Sequence, residues 1–146
     1  MTKLVSIKKK YSDLIYSRKK KVEYRRQNVN VQSGERFYVY TSSPARAITG
    51  YFVVEKKLRL PLQALWNATK RVAGIARKEF FEYFAGCTHG TALVFSAVKR
   101  FIEALPLECL RERFGHNGRF SPPQSYFSIG EDTPLFEHLE ELRSSS

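Results

Sequence analysis

Apolar runs in this chain are short and closely punctuated. Aromatic and β-branched residues cluster over 36–41 (Arg-Phe-Tyr-Val-Tyr-Thr), Ser42-Ser43-Pro44 breaks the run, and strand-like text resumes over 47–60. Gly50 inside that second run predicts a bulge. Residues 3–7 predict a short first strand, and Tyr11, Leu14 and Ile15 recur at helical spacing, predicting an amphipathic helix over 9–16. Pro61 suits the first turn of a helix whose buried face is Leu62, Leu65 and Trp66. A further helix is expected over 78–84, stopped by Gly86. Residues 91–102 are the longest strand candidate, and Pro106 opens a helical turn through Leu107, Leu110 and Arg111. A loop over 115–123, a short strand over 124–129 and an amphipathic helix over 134–142 complete the chain. Five or six short strands with interspersed short helices predict an α+β fold with a twisted or barrel-like, mostly antiparallel sheet. No glycine-rich loop joins a strand to a helix, which argues against a Rossmann or P-loop nucleotide site. With 146 residues, no repeat and no long linker, the chain has the size of one domain.

Charge narrows the partners. Lys and Arg number 25 against 14 Asp and Glu, a net +11, which biases the chain towards polyanions. Residues 1–26 hold ten of the basic side chains and only two acidic ones. Residues 131–146 run the other way, with five acids against Arg143 alone. That acidic helix and tail could shield the basic surface, engage a protein partner or simply aid solubility. No apolar stretch approaches the roughly 18 residues of a membrane span, so no membrane association is expected. The lysine-rich start lacks the apolar core of a secretory signal, and a cytoplasmic location is the expectation.

Cysteine and histidine point away from metal chemistry. Cys87 and Cys109 are far apart, and His89, His116 and His138 are scattered, so neither a metal nor any other cofactor is expected. Cys87 and His89 would share a face of a strand, the spacing of an activated thiol, but no orienting third residue can be named.

The densest constellation is Ser17-Arg-Lys-Lys-Lys-Val-Glu-Tyr-Arg-Arg26. Over 20–25 it has the text of a strand, with Val22 and Tyr24 on one face and Lys21, Glu23 and Arg25 on the other. A lone Glu between cations fixes their geometry by ion pairing, as a binding pocket needs.

A short strand, then Tyr-x-x-Leu-Ile-x-Ser, a basic pair and Lys-x-x-Glu-x-Arg (Lys20, Glu23, Arg25) resembles the ASCH family of the PUA-like superfamily. Further matches follow in order: Phe37 to Pro44, Ile48-Thr-Gly50, Phe80 to Gly86, and Pro122-Pro-Gln-Ser-Tyr-Phe127. Arg18 stands where the family pattern has glycine, and Lys21 where it commonly has threonine. The resemblance implies a pseudo-barrel over 1–130, with 131–146 outside it as the acidic helix and tail. It also implies a cleft that binds RNA or a modified nucleotide. Lys19, Lys20, Lys21, Glu23, Arg25 and Arg26 would engage phosphate or base, with Tyr40, Ser43, Gln124 and Tyr126 from the matched segments beside them. Tyr40, Tyr126 and Phe127 offer faces for an unstacked base. Some members of the family are small hydrolases, either of N4-acetylcytidine or of RNA. Lys20 and Glu23 are then the catalytic candidates, Lys20 needing a lowered pKa that Lys19 and Lys21 would supply. In a ribonuclease, Lys20 and Arg25 would stabilise phosphorane charge while Glu23 or a histidine handles the proton. The acid that the amidohydrolases carry before the second helix falls near Ala73-Gly74, where there is none.

Overall fold

A computed structural model describes residues 2–115 and 119–145. In chain order the elements are β1 (Thr2–Ile7), α1 (Lys9–Tyr16), β2 (Val22–Arg25), β3 (Arg36–Thr41), β4 (Ala47–Pro61), α2 (Leu62–Thr69), α3 (Arg77–Tyr83), β5 (His89–Pro106), α4 (Leu107–Phe114), β6 (Tyr126–Ile129) and α5 (Pro134–Ser145). The strands form one six-stranded sheet in the order β2-β5-β4-β3-β1-β6. Every neighbouring pair is antiparallel except β1 with β3, whose crossover runs through α1 and β2. The sheet is open, because β2 and β6 remain its two edges and do not pair. The α+β fold expected from the sequence is therefore present, as a curled sheet short of a closed barrel.

Strand β3 explains why both faces of the sheet are covered. Phe37 and Val39 point into a core with Val5, Ile7, Ile15, Phe52 and Val54, while Tyr38 and Tyr40 point into the opposite one. That second core is closed by α4 and α5 through Leu107, Leu110, Leu135 and Leu139. A third cluster packs α2 and α3 on β2 and β5, joining Leu65, Trp66, Phe80 and Phe84 to Val22, Tyr24 and Ala92. Aromatic edges meet there, with Tyr24 and Phe80 centroids 5.0 Å apart at 81°.

The predicted bulge lies at Thr49–Gly50, where the registers of β4 with both neighbours skip a residue. A side chain at Gly50 has no room, since a Cβ would lie 2.2 Å from the Lys99 carbonyl oxygen. The displaced Thr49 hydroxyl joins a chain of hydroxyls to Tyr16 (2.6 Å) and Thr41 (2.8 Å), and Thr41 donates onward to Ser12 (3.1 Å). This polar chain pins α1 over β3 and β4.

Helix α5 is docked as well as covered. The Glu140 carboxylate accepts from Tyr38 (2.9 Å) and Arg36 (3.2 Å), and its second oxygen pairs with Arg143 (2.7 Å). Lys3 and Glu35 form a buried ion pair at the start of β1 and β3.

The turn from α1 to β2 takes a left-handed residue that is not glycine. Arg18 has φ 63, the left-handed conformation that glycine adopts freely. Its turn lets the Lys19 and Lys20 amides both donate to the Leu14 carbonyl at 3.0 Å. Holding an L-residue there costs roughly 1–2 kcal/mol. We expect Arg18→Gly to gain up to about 1 kcal/mol after glycine's extra unfolded-state entropy. Arg18→Val should lose at least as much, because a β-branched side chain suits this region worst. Urea denaturation of the three proteins checks the order.

Candidate functional site

Between the β2 edge and β1 lies a cavity of about 450 Å³, within the usual range for small-ligand sites. One wall is the end of β1 and the start of α1, with Ser6, Lys8 and Tyr11. The opposite wall is Lys20, Glu23, Tyr24 and Arg25, with Ile75 and Tyr83 from the α2–α3 segment. Tyr40, Ser42 and the 122–124 segment complete the lining.

Lys20 is 2% exposed. Its Nζ donates to the Ala73 carbonyl at 3.0 Å and lies 4.5 Å from the Tyr24 ring centroid and 5.5 Å from that of Tyr11. Burial lowers its pKa from 10.5 to about 8, against the opposing pull of Glu23 and Glu79. The lowering comes from burial and not, as expected from sequence, from Lys19 and Lys21, which face solvent.

Gly74 makes that burial possible. It has φ +68, and a Cβ there would lie 2.6 Å from the Lys20 Cβ and 2.9 Å from its Cα. Any side chain at 74 must push the α2–α3 segment off Lys20. Gly74→Ala is expected to cost about 2–4 kcal/mol, from backbone strain plus overpacking. Chemical denaturation measures the loss, and a rise of the Lys20 pKa towards its free value would report its release.

Glu23 and Arg25 pair on the β2 wall, and Arg25 reaches across the gap. Arg25 Nη2 is 2.7 Å from a Glu23 carboxylate oxygen and donates to the Ser6 carbonyl on β1 at 2.8 Å. Its other terminal nitrogen stands 3.5 Å from the Ser125 hydroxyl, at the limit of hydrogen bonding. Arg25 thus ties one edge strand to β1 beside the other, where backbone pairing is absent. The 122–125 lip is held to β1 by Ser6, whose hydroxyl donates to the Pro123 carbonyl at 2.6 Å and whose amide donates to Ser125 at 3.0 Å.

Tyrosines supply the apolar faces. The Tyr11 hydroxyl donates to Glu79 at 2.6 Å, and burial together with that carboxylate pushes its pKa well above the ordinary phenol value. Glu79 is held below the usual carboxylate range by the Tyr11 hydrogen bond and then by Lys10, 2.9 Å away. Tyr83 donates to the Tyr24 carbonyl at 3.0 Å, and burial, aided by Glu23, raises its pKa.

Of the residues singled out in the sequence, Lys20, Glu23, Arg25, Tyr40 and Gln124 meet at this cavity. Lys19, Lys21, Arg26 and Ser43 are exposed outside it, Ser43 beside a cis peptide bond to Pro44, with Ser42 lining the cavity instead. Arg26 donates to the Tyr83 carbonyl at 2.8 Å and so braces α3. Tyr126 packs on the core beneath β3, and Phe127 on the opposite one. Cys87 packs against the α2–α3 core, while His89 at the head of β5 shares a hydrogen bond with the Thr88 hydroxyl. His116 lies outside the described residues. Among the described residues no cluster of His, Cys, Asp or Glu could hold a metal ion, and no helix is long and apolar enough to cross a membrane.

Sequence reasoning missed Tyr11, Tyr83, Lys8 and Ser6. The two tyrosines sit on helices whose aromatic spacing has the look of plain core, and only the fold brings them to the cavity wall.

Comparison with known proteins supports the fold. A curated protein named ASCH domain-containing ribonuclease, from Zymomonas mobilis, is 26% identical over 122 residues, covering 84% of this chain and 80% of that protein. The crystal structure of ASCH from Zymomonas mobilis superposes with a TM-score of 0.83 at 24% identity, covering 98% of this chain and 94% of that one. A Pseudomonas putida structure shares the fold more loosely, with a TM-score of 0.60 at 16% identity over 98% of this chain and 99% of that one. The ASCH domain model matches residues 5–100, a span that contains Lys20, Glu23 and Arg25. Since that match takes in more than half of the chain and the fold extends it to nearly all of the rest, the protein belongs to the ASCH domain family.

Proposed function

We propose that this protein takes one nucleotide of a single-stranded RNA into the cavity and cleaves the strand there. The observation that carries the reading is Lys20, a lysine buried in the cavity wall with its pKa near 8. At pH 7 about a tenth of such a group is the neutral amine, enough to take a proton at working rates. Lys8 and Arg25 add positive charge to the same lining, and Tyr11 and Tyr83 offer ring faces to an unstacked base. The net charge of +11 and the ribonuclease name of the Zymomonas relative support RNA as the ligand.

In the reaction this arrangement suits, the ribose 2′-oxygen forms a bond to the adjacent phosphorus and gives its proton to the Lys20 amine. The bond from phosphorus to the 5′-oxygen breaks, and that oxygen takes a proton from solvent. The products are a 2′,3′-cyclic phosphate and a 5′-hydroxyl. Arg25 and Lys8 offset the charge that builds on the phosphorane oxygens. Neither described histidine handles the proton, since His138 packs beside Phe114 on the α4–α5 side and His89 is not in the lining.

A second reading, binding without cleavage, is favoured by the engagement of Glu23 with Arg25, which commits the site's carboxylate to structure. N4-Acetylcytidine hydrolysis is the third chemistry to examine, although Lys20 finds the Ala73 carbonyl where that reaction needs an acid. Labelled single-stranded RNA and N4-acetylcytidine, each incubated with the protein, separate the three. We expect shortened RNA bearing cyclic phosphate ends, and affinity that falls steeply with salt. Intact but bound RNA would favour the second reading, and release of acetate the third.

A further inference from the structure

Basic charge is not confined to the N-terminal segment. Residues 56–78 contain seven Lys and Arg and no Asp or Glu, and residues 17–22 are equally free of acids. The fold lays parts of these two segments side by side. The Lys21 amide donates to the Val72 carbonyl at 2.9 Å, Lys20 Nζ reaches Ala73, and a Cβ on Gly74 would touch the Lys19 carbonyl oxygen at 3.0 Å. Lys19 and Lys21 on one segment and Lys70 and Arg71 on the other are all exposed. Among the described residues none of these four pairs with a carboxylate.

We propose that Lys19, Lys21, Lys70 and Arg71 form a ledge outside the Lys20 wall that carries the phosphates of an RNA strand leading to the cavity. The proposal rests on the RNA reading above and extends the footprint beyond the nucleotide held inside. Lys70 caps the C-terminal end of α2, where a cation also complements the helix dipole. That role accounts for one of the four side chains and leaves the other three without a purpose. Backbone phosphates need positive charge at intervals and no fixed side-chain geometry, which exposed, flexible lysines provide.

Length and salt dependence test the ledge. Fluorescence anisotropy would follow a ten-nucleotide 2′-O-methylated single-stranded RNA, which lacks the attacking 2′-hydroxyl, and a labelled 5′-mononucleotide on the wild type, Lys70→Gln/Arg71→Gln, and a control, Arg46→Gln/Arg113→Gln. The control removes equal charge near α4, on the opposite core. Removing two phosphate contacts is expected to reduce the slope of log affinity against log salt by about 1.4 for the oligonucleotide. Mononucleotide affinity should stay within twofold, and the control should keep the wild-type slope. An unchanged slope in the ledge variant, or an equal loss in the control, would overturn the ledge while leaving the cavity intact. A wild type that binds neither ligand would instead end the underlying RNA reading, and the ledge with it. Melting followed by circular dichroism verifies that all three proteins are folded.

Discussion

Replacing Lys20 with methionine should lower RNA cleavage by at least about 100-fold while leaving the protein folded. A buried ammonium is costly. Its pKa of about 8, against 10.5 in the unfolded chain, corresponds to a penalty of about 3 kcal/mol below pH 8. Methionine avoids that penalty but gives up the hydrogen bond to Ala73 and the two ring contacts, at about 1 kcal/mol each. The two sides nearly cancel, so the Tm of Lys20→Met at pH 7 should lie close to that of the wild type.

The pH dependence has a definite sign. Because the folded-state pKa is depressed, the unfolded chain binds more protons between pH 8 and 10.5. Across that window the wild type should gain stability relative to Lys20→Met, and the difference should level off above it. Cleavage by the wild type should rise with pH and reach a plateau above about 8, where the amine is neutral. A variant that cuts RNA at the wild-type rate would remove Lys20 from the chemistry, and one that unfolds would contradict the energy balance above.

Arg25→Ala is expected to have the largest effect on stability, a loss of about 3–5 kcal/mol. Glu23 has a side chain only 8% exposed and would be left as a buried charge without its partner. The Ser6 carbonyl also loses its donor, and with it goes the side-chain link between β2 and β1. Glu23→Gln in the Arg25→Ala background should restore a large part of the loss, since a neutral amide pays far less for burial. Urea denaturation of the wild type, both single variants and the double variant gives the coupling between the two residues. Additive single effects would mean that the pair is incidental to the edge.

Much of the fold was legible in the sequence. The limits of α1 and β3 match the residues predicted for them, because helical spacing in 9–16 and β-branched and aromatic text in 36–41 are unambiguous. The parallel pairing of β1 with β3 was not, since a crossover leaves no local mark. Openness was not legible either, because whether edge strands pair depends on sheet curvature and not on their composition.

The site was legible in part. Strand alternation put Lys21 beside Glu23 and Arg25, but β2 begins only at Val22, and the preceding turn at Arg18 sends Lys20 inward and Lys21 out. The family motif picked out Lys20 where periodicity did not. Ser43 was one residue from the position that lines the cavity. The basic segment at 70–71 passed unnoticed because it lies fifty residues from the N-terminal lysines and is brought beside them by tertiary contacts such as the Lys21–Val72 and Lys20–Ala73 bonds.

Photocrosslinking tests most directly whether a nucleotide occupies the gap between β2 and β1. A 2′-O-methylated single-stranded RNA carrying 4-thiouridine, which the protein cannot cut, would be irradiated on the wild-type protein at low salt, and the attached peptides mapped by mass spectrometry. Adducts on Tyr11, Tyr83 or the 122–124 segment are the predicted result, with their yield falling in Lys20→Met. Adducts found only on α4, α5 or the far ends of β4 and β5 would contradict the account.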